Sequence, residues 1–174
     1  MDKIYVLHGR GGSPEGSART IANLLPSGLP PIIRPLLSHS DPGVSAEGSY
    51  EQFGLYPNSL VIGISLGGLL AAKFQEDHPD FGLKVVTLVS PTHAEGLALT
   101  PGKRPDLIAL YSIEDPVIGT RANWEDFTDN AFNVPWMRNH DVDQQKYSIG
   151  LFLTEMLQGR EPREIIESIH QFPA

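Results

Sequence analysis

The 174-residue sequence contains no cysteine. Disulfide frameworks, thiolate metal sites and cysteine nucleophiles are excluded together. No apolar run approaches the roughly 18 residues that a membrane-spanning helix requires. The start, Met1-Asp2-Lys3-Ile4-Tyr5-Val6-Leu7 followed by His8-Gly9, is too short and too early broken for a signal peptide. The expectation is a cytoplasmic chain without a membrane span. Positive charge is also scarce, with 13 Lys and Arg against 21 Asp and Glu for a formal net charge of −8. A field of that sign repels a phosphate backbone, so nucleic acid is not an expected partner. No two histidines stand four apart on an expected helix and none joins a paired carboxylate motif, so neither a metal nor another cofactor is expected. What remains is an ordinary globular composition, 40% hydrophobic and 20% charged. The length suits one domain over residues 1–174, and nothing in the pattern points to an oligomeric state.

Short runs rich in Val, Ile and Leu recur at Ile4 to Leu7, Ile32 to Leu36, Leu60 to Ile64, Leu83 to Val89 and Leu107 to Tyr111. They lack strict alternation, which fits strands of a parallel sheet covered on both faces. A weaker run, Ala131 to Met137, contains Pro135 and reads as an edge strand. Helical spacing fills the gaps. Ser13 is placed to cap a helix from Pro14 whose Ala18, Ile21, Ala22 and Leu25 share a face. Leu66, Leu69, Leu70 and Phe74 repeat that spacing directly after the third run. Asp141 or Asp143 is expected to cap a helix carrying Ile149, Phe152, Leu153 and Met156, closed by Gly159, and Pro162 to open a last helix through Ile169. The segment Ser38 to Gly48 reads as a surface loop.

This alternation predicts an α/β fold, a three-layer, doubly wound, mostly parallel sheet of about six strands with helices on both faces. Ligands of such sheets bind at the carboxyl ends of the strands. The residues that follow each run are therefore the functional candidates: His8 to Gly12, Ser65 to Gly68, Ser90 to His93, Glu114 to Val117 and Arg138 to His140.

Gly63-Ile64-Ser65-Leu66-Gly67 fits the Gly-x-Ser-x-Gly pattern, with a strand before it and a helix after it. Glycines at 63 and 67 let a sharp turn pass its neighbours, so that the Ser65 hydroxyl projects above the sheet. The following helix aims its free N–H groups at the place where an oxyanion forms. The plainer reading is close strand-helix packing with Ser65 as a helix cap. An unassisted serine hydroxyl does not attack acyl carbon at neutral pH, so the catalytic reading requires a histidine base and an orienting carboxylate.

Asp115, just beyond the fifth run and ahead of Pro116, is the candidate acid, with Glu114 as runner-up. Its plainer reading is an Asp-Pro turn. Only His140 and His170 follow it in sequence, and His140 lies on a loop at the expected edge. The turn His8-Gly9-Arg10-Gly11-Gly12 suits an oxyanion hole, with the Arg10 and Leu66 amides as donors. It lacks the spacing of a dinucleotide or Walker loop. His8, Gly9, Gly11 and His93 are pocket candidates, with His8 also read as a turn brace. His39 and His78 read as surface residues.

His8-Gly9, the segment 63–68, Asp115-Pro116-Val117 and His140, in the order Ser, Asp, His, resemble the α/β-hydrolase superfamily over nearly the whole chain. Within it they are similar to small cap-less members, the retinoblastoma-binding-protein-9-like and YqiA-like esterases. The resemblance implies Ser65 as nucleophile, His140 as general base and acid, Asp115 as orienting acid, and the Arg10 and Leu66 amides as the oxyanion hole. Arg138-Asn139-His140 lacks the glycine common before the family histidine, and Pro91 to Lys103 is short for a cap domain. The expected function is hydrolysis of a small-molecule carboxylester or thioester through an acyl-enzyme. The alternatives are a binding or scaffold protein without turnover, and acyl transfer to an acceptor other than water.

Overall fold

The computed structural model describes residues 1–37, 54–94 and 96–169. Its main sheet has six strands: β1 (Ile4–Leu7), β2 (Ile32–Ile33), β3 (Leu60–Ile64), β4 (Lys84–Leu88), β7 (Leu107–Tyr111) and β8 (Asn130–Asn133). Their order is β2-β1-β3-β4-β7-β8, and every neighbouring pair is parallel. A two-stranded antiparallel hairpin, β5 (His93–Ala94) with β6 (Leu97–Ala98), stands apart. Four helices complete the described architecture: α1 (Ser17–Leu24), α2 (Leu66–Asp77), α3 (Lys146–Leu157) and α4 (Pro162–Ile169).

The strands alternate after all, but between two buried faces. Ile4, Val6, Leu60, Ile62, Ile64, Val86, Leu88, Ile108 and Leu110 point into one apolar cluster with α1, α3 and α4. Tyr5, Leu7, Val61, Val85, Leu107, Ala109 and Tyr111 point into the other, against α2, Trp124 and Phe127. Side chains of a strand face opposite ways, so helices on both sides demand apolar residues at every position. This is why the runs are continuous. Each fully buried Leu or Ile contributes about 1.5–3 kcal/mol.

Four sequence expectations are corrected. The second strand stops at Ile33 rather than Leu36, because Pro35 offers no N–H to a ladder; the Arg34 guanidinium donates to the Pro14 carbonyl. The fourth ends at Leu88, since Val89 turns to φ 48°. The first helix begins at Ser17 rather than Pro14: Ser13 closes a turn, its carbonyl accepting from Gly16 N–H at 3.2 Å and its hydroxyl from Glu15 N–H at 3.3 Å. Leu25 falls just past the end of α1 but still packs on the core.

The sixth run is an edge strand as expected, but it occupies Asn130–Asn133, and Pro135 opens a 3-10 turn, Pro135–Met137. Asp141 accepts from Asp143 N–H at 2.9 Å and caps a second 3-10 turn, Val142–Gln145, which runs into α3. The loop Ser38 to Gly48, His39 and His170 lie outside the described residues. Among the described residues, no helix is long and apolar enough to cross a membrane.

Strand order positions the site. From β1 the chain moves outward to β2 and then returns to β3 on the other side, so the sheet reverses its winding between β1 and β3. That reversal opens a crevice at the carboxyl edge. Gly9 and Ser65 leave the two strands that flank it.

Candidate active site

Ser65 joins β3 to α2 with φ 52° and ψ −123°, a conformation non-glycine residues rarely adopt. Such backbone costs about 1–3 kcal/mol and persists only where its surroundings enforce it. Ser65 N–H donates to the Leu88 carbonyl at 2.8 Å and its carbonyl accepts from Gly68 N–H at 2.9 Å. The glycines admit the turn. A Cβ on Gly63 would lie 2.3 Å from the Gly67 carbonyl oxygen, and one on Gly67 would lie 2.5 Å from that of Leu7. Behind them Ser90 holds its own strand end, its carbonyl accepting the buried Trp124 Nε1–H at 2.8 Å.

The hydroxyl of Ser65 makes no capping bond to α2. It is 2.8 Å from His140 Nε2 instead. His140 Nδ1 is in turn 2.8 Å from Asp115 Oδ2. An ionised carboxylate only accepts, so Nδ1 carries the ring proton and Nε2 is left to accept from the Ser65 hydroxyl. Asp115 is 1% exposed, and its second oxygen, Oδ1, accepts from Val117 N–H at 2.8 Å. Asp115 thus closes a turn through one carboxylate oxygen and contacts His140 through the other. Glu114, the runner-up, is exposed.

Three segments far apart in sequence meet here because the strands are parallel: β3 delivers Ser65, β7 delivers Asp115 and the loop beyond β8 delivers His140. Ser65 and His140 are part-buried, which leaves the hydroxyl within reach of a ligand. The turn after β1 closes with Gly12 N–H donating to the Gly9 carbonyl at 3.1 Å, and Gly11 takes φ 71°. Gly9 lies against the serine, for a Cβ there would be 3.1 Å from Ser65 Cβ. Arg10 is exposed at the crest of this turn, and Leu66 is buried as the first residue of α2. His8 is 2% exposed; its Nε2 accepts from Leu37 N–H at 2.9 Å, so Nδ1 donates to the Gly9 carbonyl at 2.8 Å. His93 stands exposed on the hairpin, 3.3 Å from Thr92 Oγ1.

One residue of the site escaped the sequence reading. Gln145 Nε2 donates to the carbonyls of Asn139 at 2.6 Å and Asp141 at 2.9 Å, the two residues that flank His140. A glutamine in the polar stretch 141–146 carries no local signal, because the bonds are made from side chain to backbone across a turn.

No family model matches the sequence, and no curated protein is similar to it in sequence. Solved structures are. A protein from Xanthomonas campestris pv. campestris described as a hydrolase of the alpha/beta superfamily aligns at TM-score 0.65 and 16% identity, over 92% of this chain and 100% of its own. The fold is that of the α/β hydrolases. The alpha/beta hydrolase domain-containing protein 10 from mouse aligns at TM-score 0.58 and 12% identity over 90% of each chain. The RedJ thioesterase of the prodiginine biosynthetic pathway in Streptomyces coelicolor aligns at 0.55 and 12% over 85% of each. Between β4 and β7 this chain carries only the β5–β6 hairpin among its described regular elements.

Proposed function

We propose that this chain is a serine hydrolase of small carboxylesters or thioesters, with Ser65 as nucleophile, His140 as general base and acid, and Asp115 as the acid that orients the imidazole and stabilises its protonated form. The observation that carries the reading is the unbroken hydrogen-bonded chain Ser65–His140–Asp115. A scaffold without turnover needs neither a serine held at φ 52° nor a carboxylate buried against a histidine, so it is the poorer account.

His140 Nε2 takes the Ser65 proton as Oγ bonds to the acyl carbon, and the carbonyl π pair moves to oxygen. The amides of Arg10 and Leu66 hold that oxyanion. The pair returns, the bond to the leaving oxygen or sulfur breaks, and His140 delivers its proton to the departing group. Water then repeats the sequence on the acyl-enzyme, releasing a carboxylic acid and restoring Ser65. His8 acts as a brace, because both of its ring nitrogens are engaged in fixing the turn. The hairpin in place of a large cap supports the cap-less reading, similar to the retinoblastoma-binding-protein-9-like and YqiA-like esterases, and with it an open site for soluble substrates.

The test is turnover of activated oxygen esters and thioesters of graded acyl length by the wild type and by His140→Ala. The wild type hydrolyses at least one series, and the variant loses about 10³-fold or more in kcat. Equal rates for the two proteins would contradict the assignment.

A further inference from the structure

We propose that Gln145 is the positioning residue that holds His140 in register with Ser65 and Asp115, an inference that rests on the serine-hydrolase reading. Ser65 follows β3 directly and Asp115 sits in the turn just past Tyr111 of β7, whereas His140 lies well beyond the end of β8 at Asn133, between two 3-10 turns. No strand or helix bond fixes its backbone. Met137 and Val142 anchor the loop in the core on either side, and Gln145 fixes the peptides next to His140 itself.

Gln145 is 9% exposed, and its amide nitrogen donates to both the Asn139 and the Asp141 carbonyls. The carboxamide is planar with its N–H bonds at fixed divergence, so engaging both sets the separation of those carbonyls and the two peptide planes around His140. Its oxygen has no partner among the described residues, so the nitrogen's two acceptors define the orientation. Gln145 also ends the 3-10 turn and stands at the N-cap of α3, whose Ile149, Phe152 and Leu153 are fully buried. The clamp therefore ties the His140 loop to the core. Asp115 holds the ring from one side and Gln145 holds the backbone from the other.

Two variants test this. Gln145→Met keeps length and burial but has no donor, and Gln145→Glu keeps the shape while opposing oxygen to both carbonyls. Misplacement of a catalytic base costs up to about 10²-fold. In either variant kcat for an activated ester is expected to fall about 10- to 100-fold, with KM within about twofold of wild type. Fluorophosphonate labelling slows by a similar factor, and the low-field proton resonance of His140 Nδ1–H weakens or broadens. Asp143→Asn, on the exposed side of the same turn, keeps its backbone bond to Asp141 and retains wild-type kcat and the resonance. If Gln145→Met does not fold, Gln145→Glu carries the test.

A folded variant with wild-type kcat and an intact resonance overturns the proposal while leaving the role of Ser65 in place. So does a loss of activity that only tracks lost thermal stability. Wild-type protein that neither labels nor turns over would remove both this inference and the reading beneath it.

Discussion

The two halves of the site are built on different principles. Around Ser65, geometry follows from regular structure: a buried strand, a buried helix and glycines so tightly packed that a Cβ on Gly63 would meet backbone at 2.3 Å. Around His140, geometry follows from single polar contacts, to Ser65 and Asp115 through the ring and to Gln145 through the flanking carbonyls. The first half ties function to stability. The second loosens that tie, since the polar bonds orient one ring while Met137 and Val142 anchor its loop in the core.

Substitutions of graded effect sharpen that contrast. The largest is expected for Ser65→Ala, which removes the attacking oxygen and lowers turnover about 10⁴-fold or more, measured as kcat on an activated ester. Its melting temperature stays near that of wild type. Asp115→Asn comes next: the proton on Nδ1 loses its anionic partner and kcat falls about 10³- to 10⁴-fold. Stability is nearly unchanged, because the asparagine oxygen still accepts from Val117 N–H. Asp115→Ala loses that bond too and unfolds at lower denaturant, by about 1 kcal/mol.

Gly63→Ala probes the other half. Overpacking against backbone costs about 3 kcal/mol, which for a chain of this size lowers the melting temperature by about 6–12 °C, and activity falls with the fold. The smallest effect is expected for His8→Ala. The Leu37 N–H loses its buried acceptor at a cost of about 1–3 kcal/mol, while kcat changes by less than about tenfold. A stable but inactive Gly63→Ala protein, or a destabilised Asp115→Asn, would break the contrast.

The same division explains what could be read from the sequence. β1, β3 and β7 were legible to the residue because helices on both faces force continuous apolar runs. The glycine spacing around Ser65 was legible because the turn permits nothing larger. Asp115 and His140 were singled out by their places after strands and by chain order, signals that name a residue without fixing its angle. Ser13, Pro35 and Pro135 deceived at element ends, where a turn, a cap and a 3-10 turn use the same residues. Gln145 left no trace, since its acceptors are backbone carbonyls that every sequence contains.

The central claim is that Ser65 is a nucleophile activated by His140. The direct measurement is fluorophosphonate labelling of the wild type and His140→Ala, followed by mass spectrometry of the digested peptides. The account predicts one adduct, on Ser65, formed about 10³-fold or more slowly when His140 is removed. An adduct on another residue, or Ser65 labelled equally fast in both proteins, would contradict it.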